Sequence, residues 1–117
     1  MSLELAKLIV KAVKERKASR VVLLGMGDRS DVCDYQLICS GDSDKQTRAI
    51  CDHVESLCRQ ELKLRPAVIE GRASGHWVLL DYGSILVHIF LTQLRDYYAV
   101  ESLWPGSLVD LAAMDRS

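Results

Sequence analysis

The chain has 117 residues, enough for one domain that buries a core without metal or disulfide staples. It is 49% hydrophobic and 26% charged with a formal net charge of −1, which excludes a highly charged disordered chain and a nucleic-acid binder relying on bulk positive charge. No secretory core or membrane-length apolar run occurs, so a cytoplasmic protein without a membrane partner is expected.

The first element expected is an amphipathic helix near 2–16, with Leu5, Leu8, Ile9, Ala12 and Val13 on one stripe and Lys7, Lys11 and Lys14 elsewhere. Lys7, Lys11, Lys14, Arg16, Lys17 and Arg20 crowd this segment, either as a solvated face or as a patch that favours a nearby RNA surface. Val21–Leu24 reads as a strand ending in the turn-rich run Gly27-Asp28-Arg29-Ser30, and Tyr35–Cys39 as a second strand. Ser43 opens a long helix, with Gln46 placed to complete a capping box and Ile50, Val54, Leu57 and Cys58 as its buried stripe.

Pro66 marks the exit, and Ala67–Glu70 reads as a short strand before the polar loop Gly71–Gly75. Trp77–Leu80 and Ile85–Leu91 then form a hairpin across Asp81-Tyr82-Gly83-Ser84. A last helix is expected from about Leu94 to Leu103, stopping before Pro105. The organisation expected is one domain over 1–104 followed by a loosely ordered tail over 105–117. The element order implies α/β architecture: a single mixed sheet with helices packed on it.

With Tyr82 and Gly83 as the loop residues, Trp77 would face His88, Leu79 would face Leu86 and Asp81 would face Ser84. Alternation across the strands then gives one aliphatic face, from Val78, Leu80, Tyr82, Ile85, Val87, Ile89 and Leu91. The other face carries Trp77, Leu79, Asp81, Ser84, Leu86, His88 and Phe90. If uncovered, this second face is a partner site; otherwise a helix or a second copy of the chain covers it.

No catalytic constellation stands out. Cys33, Cys39, Cys51 and Cys58 lack zinc-ligand spacing, and each of the pairs Cys33/Cys39 and Cys51/Cys58 is spaced to share a face as buried small hydrophobes. Asp31, Asp34, Asp42 and Asp44 lack calcium-loop spacing. Ser40-Gly41-Asp42-Ser43 resembles a phosphate-binding turn, but no P-loop lysine follows. His53 is expected to be a partly buried helix residue.

Several ordered blocks carry a family resemblance. Asp34-Tyr35, Cys39–Ser43, Arg48–Val54, Glu70-Gly71, Trp77–Gly83, Val87–Phe90, Arg95–Tyr98 and Leu103-Trp104 resemble the signature of the ribosomal silencing factor family, also called Iojap. The match runs from about Leu3 to Trp104; one departure is Gly25, where the family often has an Asp. The resemblance implies a compact α/β domain related to the nucleotidyltransferase fold, without evident enzymatic activity; no cofactor or metal is expected. It implies binding to the large ribosomal subunit through large-subunit ribosomal protein fourteen, blocking subunit joining and repressing translation when nutrients are short. The family's Trp contact falls on Trp77, with Leu79, Leu80, Asp81 and His88 as the next candidates for the interface. A minor rRNA contact and homodimerisation of the free protein are left open. The alternatives are a nucleotide-binding or nucleotidyltransferase-like enzyme and a large-subunit assembly factor.

Overall fold

The computed structural model describes residues 2–27, 33–98 and 107–111. In chain order they form α1 (Ser2–Glu15), β1 (Ser19–Gly25), β2 (Tyr35–Gly41), α2 (Asp44–Leu62), β3 (Val68–Glu70), β4 (Trp77–Asp81), β5 (Ile85–Leu91), α3 (Thr92–Tyr98) and β6 (Ser107–Leu108). The strands make one mixed sheet in the order β3-β4-β5-β2-β1-β6. The central β2–β5 pair is parallel, running from Tyr35↔Ile85 to Gly41↔Leu91. Every other pairing is antiparallel. No helix among the described residues is long and apolar enough to cross a membrane.

The two long helices pack side by side on one face. α1 buries Leu5, Ala6, Ile9, Val10, Ala12 and Val13, and α2 buries Thr47, Ile50, Cys51, Val54 and Cys58. Beneath them lie Leu23, Leu37, Cys39, Val78, Leu80, Ile85, Val87 and Ile89, the inward members of an alternating pattern. A smaller cluster of Leu24, Met26, Cys33, Ile38 and Phe90 fills the opposite face. Cys51 and Cys58 thus share a helix face as the spacing implied. Cys33 and Cys39 do not share one: Cys33 precedes β2, where strand alternation no longer applies, and belongs to the other cluster.

The hairpin between β4 and β5 is correct in its faces but slides by two residues from the expected register. Trp77 faces Phe90, Leu79 faces His88 and Asp81 faces Leu86. The Tyr82 N–H donates to the Ile85 carbonyl at 3.0 Å, which leaves Gly83 and Ser84 as the loop. Gly83 has φ +81°, the conformation that a tight hairpin asks of its first loop residue. The slide keeps Tyr82 in line with the apolar inner face, where its ring packs against the core.

α3 starts two residues earlier than expected, at Thr92, whose hydroxyl donates to the Gly41 carbonyl at 3.0 Å. Its expected continuation to Leu103 falls outside the described residues. Within the segment taken for a loose tail, β6 pairs with β1 at Leu24↔Leu108, and the Val109 N–H donates to the Leu23 carbonyl at 2.9 Å. A two-residue edge strand is too short to show a periodicity. Gly25 pairs with both Tyr35 and Ser107.

One side chain joins two chain reversals at one end of the sheet. The Ser43 hydroxyl accepts from the Gln46 N–H at 3.1 Å, and Gln46 Oε1 accepts from the Asp42 N–H at 2.7 Å, a capping box displaced by one residue. Gln46 Nε2 also donates to the carbonyls of Arg16 and Lys17, at 3.3 and 3.1 Å, where α1 ends and the backbone turns through a left-handed Lys17. Gln46→Ala removes the cap return and this tie together. It is expected to lower unfolding free energy by about 1–2 kcal/mol, whereas Gln60→Ala, on the exposed side of α2, stays within about 0.5 kcal/mol. Urea denaturation of both variants beside wild type checks the difference.

A candidate partner-binding surface at the β4 edge

β3 and β4 form the margin of the sheet, and alternation sets which of their side chains face away from α1 and α2. In the observed register Val68 lies opposite Asp81 and Glu70 opposite Leu79, so Val68, Glu70, Trp77, Leu79 and Asp81 share the outer face with Leu86, His88 and Phe90 of β5. α3 covers this face on its β2–β1 side: Arg95 is 1% exposed and donates to Ser40 Oγ at 2.9 Å and to the Arg20 carbonyl. At the β4 edge Trp77 remains 41% exposed and Val68 43%, and a shallow depression is lined by Glu70, Gly71, Trp77 and Leu79.

Trp77 is exposed yet fixed. Its ring lies against Phe90, with centroids 4.7 Å apart. Its indole N–H donates to His88 Nδ1 at 3.2 Å, and His88 Nε2 lies 2.8 Å from Gln36 Oε1. An indole N–H can only donate, so Nδ1 is the bare nitrogen and Nε2 carries the proton that Gln36 Oε1 accepts. The Gln36 amide in turn donates to Met26 Sδ at 4.0 Å. Burial pulls the His88 pKa down to about 4, so the ring is neutral at ordinary pH and suited to accept from the indole.

The loop that delivers Trp77 is pinned to α2. Arg72 makes a two-pronged pair with the Asp52 carboxylate at 2.8 and 2.6 Å and holds its pKa below the usual range. Arg48 donates to the Ala73 carbonyl at 3.3 Å, and the buried Thr47 hydroxyl donates to the Gly75 carbonyl at 2.6 Å. At Gly71, where φ is +77°, a Cβ would lie 2.0 Å from the Trp77 carbonyl oxygen, so only glycine allows the two backbones to approach this closely.

The five residues expected at the interface therefore separate. Trp77 and Leu79 reach the surface; Asp81 is partly buried, and its Oδ1 accepts from the Gly83 N–H at 2.8 Å. Leu80 is fully buried beneath the helices and has no surface to offer, because it occupies the opposite phase of the strand from Trp77 and Leu79. His88 is 4% exposed and turned inward, where its Nδ1 accepts from the Trp77 indole. Val68 and Gln36 were not read from the sequence. Val68 sits in a three-residue strand, and Gln36 is a polar residue near the start of a mostly apolar one; the β3–β4 and β2–β5 registers identify both.

The turn at Ser40–Ser43 is engaged within the fold: Ser40 Oγ accepts from Arg95, Ser43 Oγ caps α2, and Asp42 Oδ1 accepts from the Thr92 hydroxyl at 3.1 Å. Among the described residues no three His, Cys, Asp or Glu side chains converge as a metal site. The four cysteines are free and buried, and burial raises the thiol pKa of Cys39 and Cys51 to about 12. His53, partly exposed on α2, places its Nε2 2.8 Å from Glu15 Oε1.

The depressed His88 pKa has a sign that can be checked. Between the unfolded value near 6.5 and the folded value of about 4, the unfolded chain binds the extra proton. Stability from the neutral ring is thus full above about pH 6.5 and falls as pH drops towards 4, by at most about 3 kcal/mol. Denaturation from pH 7 to 4.5 should show this loss, and it should be absent in His88→Asn, whose side-chain oxygen can still accept from the indole.

A family model described as "Ribosomal silencing factor during starvation" matches residues 1–116, reaching past Trp104. A ribosomal silencing factor from Halalkalibacterium halodurans is 41% identical over 101 residues, 86% of this chain and 86% of its own. The crystal structure of a protein from Chromobacterium violaceum shares the fold with a TM-score of 0.84 at 30% identity, over 94% of this chain and 91% of that one. A mouse protein named mitochondrial assembly of ribosomal large subunit protein 1 is 28% identical over 100 residues, 83% of this chain and 43% of its own length. On this match the chain belongs to the ribosomal silencing factor family.

Proposed function

We propose that this protein binds the large ribosomal subunit through large-subunit ribosomal protein fourteen and occupies the surface that meets the small subunit. The observation that carries the reading is Trp77: a large aromatic at a sheet edge, 41% exposed, whose indole is held by Phe90 and His88. A side chain ordered before binding loses little entropy on contact, and tryptophans of this kind are the usual anchors of protein interfaces. Leu79 and Val68 extend the apolar surface, and Asp81 supports the turn at its rim. The action is steric and stoichiometric rather than enzymatic: a bound copy excludes the small subunit, and excess small subunit competes with it. Translation falls in proportion to the large subunits occupied.

A role in large-subunit assembly is the second reading, supported by the name of the mouse relative. It uses the same contact but acts on immature particles.

Trp77→Ala should weaken binding to purified large subunits by about 30- to 1000-fold, the effect of losing about 2–4 kcal/mol at an anchor, while circular dichroism and thermal unfolding show a folded domain. Light scattering of subunit joining, titrated with wild type, should reach full inhibition near one copy per large subunit. Strong inhibition far below that ratio, or stable binding to joined ribosomes, would sink the occlusion mechanism. Accumulation of immature large subunits in cells lacking the protein, with joining unaffected in vitro, would favour the assembly reading.

A further inference from the structure

Charge is segregated in this molecule. Residues 11–20 hold Lys11, Lys14, Arg16, Lys17 and Arg20 against Glu15 alone, in a chain whose net charge is −1. Glu15 is already committed to His53, at 2.8 Å, and the neighbouring Asp44 pairs with Arg48 at 3.2 Å. Lys14, Lys17 and, on the first turn of α2, Lys45 are exposed and have no ion-pair partner among the described residues.

The platform that presents these cations is rigid. The Lys17 N–H donates to the Lys14 carbonyl at 2.9 Å and the Ala18 N–H to the Val13 carbonyl at 3.0 Å. Lys17 takes a left-handed φ of 62°, and the Gln46 amide holds the carbonyls of Arg16 and Lys17 from the other side. The sheet register places this turn at the same end of the molecule as Trp77: β1 begins at Ser19 opposite Ser40, β2 ends beside the end of β5, and Phe90 faces Trp77. With strands about 4.8 Å apart, three spacings put the turn roughly 15 Å from the tryptophan along one edge. Trp77 leaves the face opposite α1 and α2, so a single large partner touching both wraps around this end of the sheet.

We infer that Lys14, Arg16, Lys17 and Lys45 form a second contact, which binds the phosphate backbone of RNA beside the protein surface engaged by Trp77. Exposed lysines on a held backbone, with no ion-pair partner among the described residues and with exposed Asp42 as the remaining acid beside the turn, suit phosphate oxygens, whose condensed counterions are released on binding. A membrane surface is disfavoured, because the exposed large hydrophobics Leu3, Val68, Trp77 and Leu108 all lie outside residues 11–20. The inference rests on the ribosomal reading, since a ribosome surrounds any protein contact with RNA phosphates. The lysines add an electrostatic, sequence-independent component to affinity, and Trp77 determines the docking position.

Lys14→Ala/Lys17→Ala in the full chain separates the two contacts. Affinity is measured for purified large subunits and, separately, for a fluorescent RNA duplex, between about 50 and 200 mM salt, where phosphate contacts give log–log slopes of about one per contact. The double variant should weaken binding to both probes and flatten the salt slope by about 2. Arg65→Ala, exposed beyond the far end of α2, should leave the slope as in wild type. Trp77→Ala should weaken subunit binding at every salt concentration; if it does not, the protein contact fails, while the slope and the RNA duplex still decide the phosphate contact. An unchanged slope and RNA affinity in the folded double variant overturns the inference, as does equally tight, lysine-dependent binding to polyglutamate, which would make the partner an acidic protein.

Discussion

The parallel pairing of β2 with β5 at the centre of the sheet constrains everything around it. Two parallel neighbours cannot be joined by a tight turn, so the chain leaves β2 through α2, passes down the β3–β4 margin and returns into β5. That route puts α2 beside α1 on one face and consigns the β4–β5 hairpin to the other side of the centre. It also brings the start of β4, the ends of β2 and β5 and the start of β1 to one end of the molecule. Trp77 and the cationic turn are neighbours because of this topology, although they are far apart in sequence.

At the margin, the exposed Trp77 is held by an arrangement that costs stability elsewhere. Burying a histidine in neutral form, with Gln36 and then a thioether behind it, forgoes the usual charge of that residue at mildly acidic pH. In return the indole N–H has a fixed acceptor and the ring a fixed neighbour in Phe90. The loop on the other side of Trp77 is held by contacts to α2, so the indole is referenced to the core from both directions. A side chain held this way has little freedom left to lose on any contact.

Much of this was legible in the sequence, for reasons that differ by element. Helix α2 announces itself through Ser43, Gln46 and the Ile50–Val54–Cys58 stripe, and the two faces of the hairpin follow from alternation alone. The hairpin register was not legible, because Tyr82-Gly83 and Gly83-Ser84 both offer a glycine to the turn; the burial of the Tyr82 ring chooses between them, and that depends on α2. The resemblance makes Leu80 an interface candidate, whereas the alternation of the strand already turns it inside, where the structure has it. Cys33 looked like part of β2 because even spacing is blind to where a strand begins. The Gln36–His88 contact crosses between strands far apart in sequence and leaves no local trace.

Gly71 extends these constraints to the molecule's tolerance of change. Surface positions ordinarily accept many residues, since nothing crowds a side chain in water. Gly71 is exposed, yet its missing side chain is the space through which the Trp77 carbonyl passes, and its backbone angle disfavours every other amino acid. A saturation library of this chain would therefore find two kinds of intolerant site: buried residues such as Phe90 and Ile50, and a solvent-facing glycine constrained by its own backbone. Among natural variants, drift at the loop should be permitted at Ala73 and Ser74 and arrested at Gly71, so substitution frequency along this segment would trace backbone geometry rather than burial.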